Sequence, residues 1–140
     1  MDRGRRKGAR PLELWKKYNA NTEKKRVGDC TVRAIATVMG TDWEDAFIAL
    51  CVQAYAAHDM PSANAVWGSL LWKNGFRRAV VCDSCPDCYT VKDFCLENPE
   101  GRYILALDSH VIAVIDGKYY DTFDSGDEVP HYYWYRKEDE

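Results

Sequence analysis

Three residue types in this chain combine into a nucleophilic site: a cysteine heading a helix, a histidine opening a strand, and an aspartate on the strand that returns beside it. Cys30 stands in "RVGDCTVRAIATVMG", residues 26–40. Val32, Ile35, Ala36 and Met39 repeat there at i, i+3, i+4 and i+7, which predicts a single buried helix face. Gly28 and Asp29 are N-terminal cap candidates, and Gly40 is a C-terminal stop. Cys30 then falls where unpaired backbone N–H groups and the positive end of the helix dipole converge, a setting that favours the thiolate. A structural reading competes, because a free cysteine is commonly a small core residue. A histidine within reach would decide between the two.

"HVIAVIDGKYYDTFD", residues 110–124, supplies that histidine. Asp116-Gly117 between two alternating runs predicts a hairpin with a two-residue turn. The turn pairs Ile115 with Lys118 and, counting back, sets His110 opposite Phe123. Asp121 then lies diagonally from His110 on the same face, so the register by itself favours Asp121 as the imidazole's partner. Asp124 stands one residue past the pair and reaches the ring through a bulge or an odd-length turn. A histidine that takes the thiol proton, with a carboxylate fixing its tautomer, serves acyl transfer through a thioester. The oxyanion then needs two donors. The Cys30 backbone N–H is one, and a side-chain amide from the loop upstream is the other.

The elements that must position these residues read as helices first and strands afterwards. Leu12, Leu14, Trp15 and Tyr18 point to a short helix begun at Pro11. The Cys30 helix follows a polar loop, and a second helix starts from a capping box of Thr41 and Glu44. A third is capped by Ser62 and ends at Asn74-Gly75. "FRRAVVC" reads as a strand, and a short helix runs from Thr90, with Asp93 completing its cap, to about Glu97 before Pro99. Strands follow at "RYILALD", "HVIAVID", "KYYDTFD" and "HYYWYR". The class is α+β, N-terminal helices packed on a C-terminal antiparallel sheet. Trp67, Trp72 and the aromatics of "HYYWYR" serve core and sheet-face packing, or the lining of a substrate groove.

"GDCTVRAIATVMG", "TVKDFCLENPEGRYILAL" and "HVIAVIDGKYYDTFDSG" together resemble small papain-like cysteine peptidases of bacteria and bacteriophages, relatives of the peptidases that trim double-glycine leaders. The resemblance runs from about Val27 to Arg136. It implies a papain-like fold and a thiol hydrolase cleaving a peptide or isopeptide bond, with Cys30 as nucleophile, His110 as base and acid, and no cofactor. It also implies Asp124, in "FDSG", as the third catalytic residue, with Asp121 as the alternate. The family's glutamine six residues before the nucleophile is replaced by Lys24, and its Cys-Gly-Pro by Cys30-Thr31-Val32. Asn19 or Asn21 is then the candidate oxyanion donor. The alternatives are a catalytically inactive papain-like binding module and a peptidoglycan endopeptidase of the same superfold.

Composition bounds these readings. A chain of 140 residues with 46 % hydrophobic content, five Trp and nine Tyr suits one globular domain. Residues 1–26 hold ten Lys/Arg against three acidic residues, +7, so the rest carries −10 to reach the total of −3. The expected organisation is a basic, partly disordered arm over 1–26 and the folded domain over 27–140. The arm can touch nucleic acid weakly, or acidic protein surfaces, but the acidic remainder argues against nucleic acid as the main ligand, and the resemblance implies a peptide or protein substrate. No leader or membrane span is visible, so the expected address is the cytoplasm. Six cysteines without an export signal argue against a disulfide framework. Cys82, Cys85 and Cys88 have metal-site spacing, yet Cys95 falls on a predicted helix and makes an ill-placed fourth ligand, so no metal is expected. His58 and His131 are the competing histidines, one in a loop and one at the start of an aromatic strand, neither with a carboxylate on an adjacent strand.

Overall fold

The computed structural model describes residues 13–23, 27–81 and 89–136. In chain order the elements are β1 (Trp15–Lys17), α1 (Cys30–Met39), α2 (Trp43–Ala57), α3 (Asn64–Lys73), β2 (Phe76–Val80), α4 (Val91–Glu97), β3 (Arg102–Leu107), β4 (His110–Ile115), β5 (Lys118–Asp121) and β6 (Tyr132–Arg136). The class is α+β. The strands form one mixed sheet in the order β1-β5-β4-β3-β6-β2. No helix among the described residues is long and apolar enough to cross a membrane.

The hairpin at the centre of the sheet follows its turn. Asp116 and Gly117 both take positive φ, 51° and 78°, as a two-residue turn of this hand requires. Ile115 pairs with Lys118, Val114 with Tyr119 and Ala113 with Tyr120, the register read from the sequence. β3 runs antiparallel to β4 and to β6, and β6 to β2. Strand alternation divides the core. Ile104, Ala106 and Ala113 join one apolar cluster with α1, α2 and α3, whereas Leu105, Leu107, Ile112 and Val114 join another with α4 and Tyr119.

Three local expectations are corrected. The segment after Pro11 contains a strand, not a helix: Trp15–Lys17 pairs in parallel with Tyr119–Asp121, which makes the sheet mixed rather than antiparallel. The open edge of β5 offers this segment a backbone ladder, and a short aromatic stretch takes it more readily than a helix without a partner face. Ala20 joins the core and Asn21 is buried, so residues 13–23, assigned to the arm by charge, belong to the folded domain. The caps of α2 and α3 each fall one residue later than expected. Asp42, not Thr41, accepts the Asp45 N–H, and Ala63 precedes α3 with no side-chain cap bond. The start of α4 holds as read, with Thr90 and Asp93 capping one another. Met1–Leu12, Lys24–Arg26, Cys82–Cys88 and Lys137–Glu140 lie outside the described residues, and with them Lys24, most of the basic arm and the three spaced cysteines.

The turn that sets the register is also packed. A Cβ at Gly117 would lie 3.2 Å from Pro99 Cα and 3.3 Å from the Cys95 carbonyl oxygen, at a φ that L side chains rarely adopt. Gly117→Ala is expected to cost roughly 1–3 kcal/mol of stability. Urea unfolding at neutral pH measures it, and an unchanged midpoint would show that this turn tolerates a side chain.

Candidate active site

Cys30 is the first residue of α1, and its position is set by a buried carboxylate one residue earlier. Asp29 occupies the N-cap position but makes no side-chain cap bond. Its Oδ2 instead accepts from Asn21 Nδ2 at 3.0 Å and from the Trp43 indole at 2.8 Å, while Arg33 pairs with Oδ1. Loop 19–23, the start of α2 and the first turn of α1 are thereby joined at one point. α1 packs closely on β4, and its burial is wider than the predicted stripe, taking in Ala34 and Val38 as well.

That packing brings Cys30 to His110, the first residue of β4. The thiol is close enough to the imidazole and to the Val111 backbone N–H for both to favour its ionised form. His110 Nε2 lies 2.7 Å from Asp121 Oδ2, so the carboxylate holds Nε2 and leaves Nδ1 as the ring nitrogen for sulfur. Asp121 is buried at 4 % exposure and fully engaged: Oδ2 also accepts from Ser125 Oγ at 2.7 Å, and Oδ1 from the Thr122 N–H at 2.8 Å. Phe123 stacks on the imidazole at 5.1 Å between centroids, where the hairpin register placed it.

Asp121, rather than Asp124, is therefore the carboxylate beside the imidazole. The two-residue turn carries its register outward without the bulge that Asp124 needed. Asp124 is turned to the Tyr119 hydroxyl and to the Gly126 N–H, which lies 3.0 Å from its Oδ1. Those two donors hold its carboxyl below the usual range. Asn19 and Asn21 are likewise placed otherwise than expected. Asn21 Nδ2 is bound to Asp29, and Asn19 Oδ1 accepts the Asn21 N–H at 2.9 Å. The cleft over Cys30, about 330 Å³, is lined by neither, but by Asn64 among others. Asn64 has its Oδ1 held by the Trp67 indole at 3.1 Å. An indole only donates, so the oxygen faces Trp67 and the amide N–H₂ is left for the cleft. His58 is exposed at the end of α2, and His131 is exposed before β6. Cys95 packs in the α4 cluster, and burial pushes its thiol up to about 12.

The electrostatics of the pair follow from these contacts. Burial alone raises the Cys30 thiol, but the His110 hydrogen bond, the Val111 N–H and the charges of His110 and Arg33 bring it below its ordinary 9.0. Burial opposes charge on His110 too, yet Asp121 first and Cys30 second raise the ring from 6.5 to about 9. The contacts that lower the thiol and raise the imidazole both favour the thiolate–imidazolium form of the pair. The stability linked to the ring proton is complete below pH 6.5 and is lost as pH climbs through about 9. That linked to the thiolate runs the other way, present above 9.0 and lost as pH falls through the lowered value.

The chain matches no family model, no curated protein and no solved structure.

Imidazole titration followed by NMR distinguishes the two aspartates. Asp121→Asn should drop the His110 pKa from about 9 to near or below 6.5, whereas Asp124→Asn should leave it in place. The opposite pattern would return the role to Asp124.

Proposed function

We propose that this protein is a thiol hydrolase of papain-like type acting on a peptide or isopeptide bond, with Cys30 as nucleophile, His110 as general base and acid, and Asp121 as the positioning carboxylate. The observation that carries the reading is that Cys30, at the head of a helix, and His110, held by Asp121 at 2.7 Å, line one open cleft. The chain order Cys-His-Asp and the helix–strand–strand setting support the resemblance to papain-like peptidases.

Each step has a group in place. The Cys30 thiolate attacks the scissile carbonyl carbon, and the carbonyl π electrons move to oxygen. That oxyanion meets the Cys30 backbone N–H, which has no intrahelical acceptor at the first turn, and the Asn64 amide. His110 gives its proton to the leaving nitrogen as the C–N bond breaks, and a thioester remains. Neutral His110 then takes a proton from water as the hydroxide oxygen attacks, and the thiol departs as thiolate. Asp121 keeps Nε2 protonated throughout, so that Nδ1 is the nitrogen that trades the proton.

Iodoacetamide alkylation, mapped by mass spectrometry, tests the activated thiol without knowledge of the substrate. Cys30 should be modified ahead of the other five cysteines at pH 6–7. Modification only above about pH 8, like an ordinary thiol, would remove the reading. With a cleaved peptide in hand, Cys30→Ala should abolish turnover while costing no more than the ~0.5–3 kcal/mol usual for a point change. Asn64→Ala should lower kcat by about 10²–10³-fold with a smaller effect on KM. A KM effect alone would make Asn64 a substrate contact only.

A further inference from the structure

A second cleft of about 500 Å³ adjoins the one over Cys30, and the two share Asn64 and Tyr132. Its walls include Trp72, Arg78 and Trp134, and no carboxylate among the described residues lines it. Trp72 is 55 % exposed, an unusual state for a large aromatic that is only packing. Arg78 holds its guanidinium 4.0 Å over the Tyr132 ring and pairs with no carboxylate among the described residues. Stacking against Tyr132 fixes the plane of the guanidinium and leaves its N–H edge for a partner. Next to it, Arg77 lies 3.7 Å over Trp72 and donates to the carbonyls of Trp72 and Phe76. Arg78 is thus the cation that lines this cleft, in a chain whose net charge is −3.

We infer that this second cleft reads an acidic side chain of the peptide whose scissile carbonyl lies at Cys30, with Arg78 pairing with the carboxylate and Trp72 and Tyr132 taking its methylenes. The inference rests on the proposed hydrolase reading for the placement of the scissile bond, and on the adjoining clefts for the placement of the side chain. A planar, pre-oriented guanidinium matches a carboxylate in two parallel hydrogen bonds. Asn64 lines both clefts, so the group proposed to meet the oxyanion also marks where the peptide would pass from one to the other. Among the described lining residues only Arg78 carries a charge, so the cleft selects by one anionic group and not by a run of them.

The test is binding of fluorescein-labelled hexapeptides to the Cys30→Ala protein, read by anisotropy. A single Glu is moved through the positions, with Gln and Lys counterparts and with both free-acid and amide C-termini. At one or more positions Glu should bind at least about fivefold tighter than Gln, an advantage that added salt reduces. Adding Arg78→Gln should erase the difference, and Arg78→Glu should turn the preference to Lys. Equal binding of Glu and Gln peptides, no binding of any, discrimination that survives Arg78→Gln, or a preference set by the free C-terminus alone would each overturn the inference. Iodoacetamide reactivity of Cys30 in the unmodified chain reads the hydrolase proposal separately. A reactive thiol without acidic preference removes only the acidic subsite. An inert thiol with acidic preference removes the hydrolase and leaves a peptide-binding cleft.

Discussion

The buried carboxylate of Asp121 is the constraint around which this end of the molecule is arranged. An anion at 4 % exposure has given up its hydration and must recover it from protein donors. His110, Ser125 and the Thr122 N–H provide them. The carbonyl of the same residue accepts the Tyr18 N–H at 3.0 Å and the Trp15 indole at 3.2 Å, which ties β1 to the end of β5. Leu14 and Trp15 pack against the apolar cluster on that side, and these bonds add to what holds a three-residue edge strand that also carries Lys16 and Lys17. Asp121 thus orients the imidazole and, with Tyr119 and Tyr120, holds the sheet edge.

Asp29 does for the thiol what Asp121 does for the imidazole. It gives up the capping bond that its position invites and spends its oxygens on Asn21, Trp43 and Arg33. The first turn of α1 is left without a side-chain cap where Cys30 and Thr31 line the cleft, which suits an anion there. The two halves of the site are each fixed by a buried aspartate on a separate element. They meet because α1 packs on β4, with Ala34 and Ala36 letting the helix sit close in the core. A site built on a helix and a strand keeps its geometry better than one built on loops.

What the sequence made legible is what local rules control. Asp116-Gly117 specified the turn, the turn specified the register, and the register placed Phe123 over His110 and Asp121 beside it. Asp124 entered through a resemblance and lost to that register. The strand at Trp15–Lys17 was hidden because its partner is the edge of β5, about a hundred positions away. The α2 cap shifted by one residue because Asp42 and Thr41 are both competent caps and the chain path chose between them. Asn64 left no signal at all. Its amide is oriented by Trp67 three residues on, but what makes it a site residue is the cleft, and that forms only when α1, α3, β3, β4 and β6 are assembled.

Burial works against both charges of the Cys30–His110 pair, raising the thiol and lowering the imidazole. The ion pair persists because each member is the other's counter-charge and because Asp121 stabilises the imidazolium from the far side. The arrangement is therefore conditional: thiolate depends on imidazolium, and imidazolium on the buried carboxylate. Phe123 covers one face of the ring while remaining 47 % exposed itself, so the pair sits between core and solvent. A peptide filling the cleft would exclude solvent from its open side. Desolvation and Coulomb attraction would then both grow, and whichever grows more sets the charge state of the occupied site. The groups that stabilise the pair are fixed by backbone and buried side chains, and need not reorganise when water leaves. Those fixed groups are what the occupied site offers the pair in place of solvent.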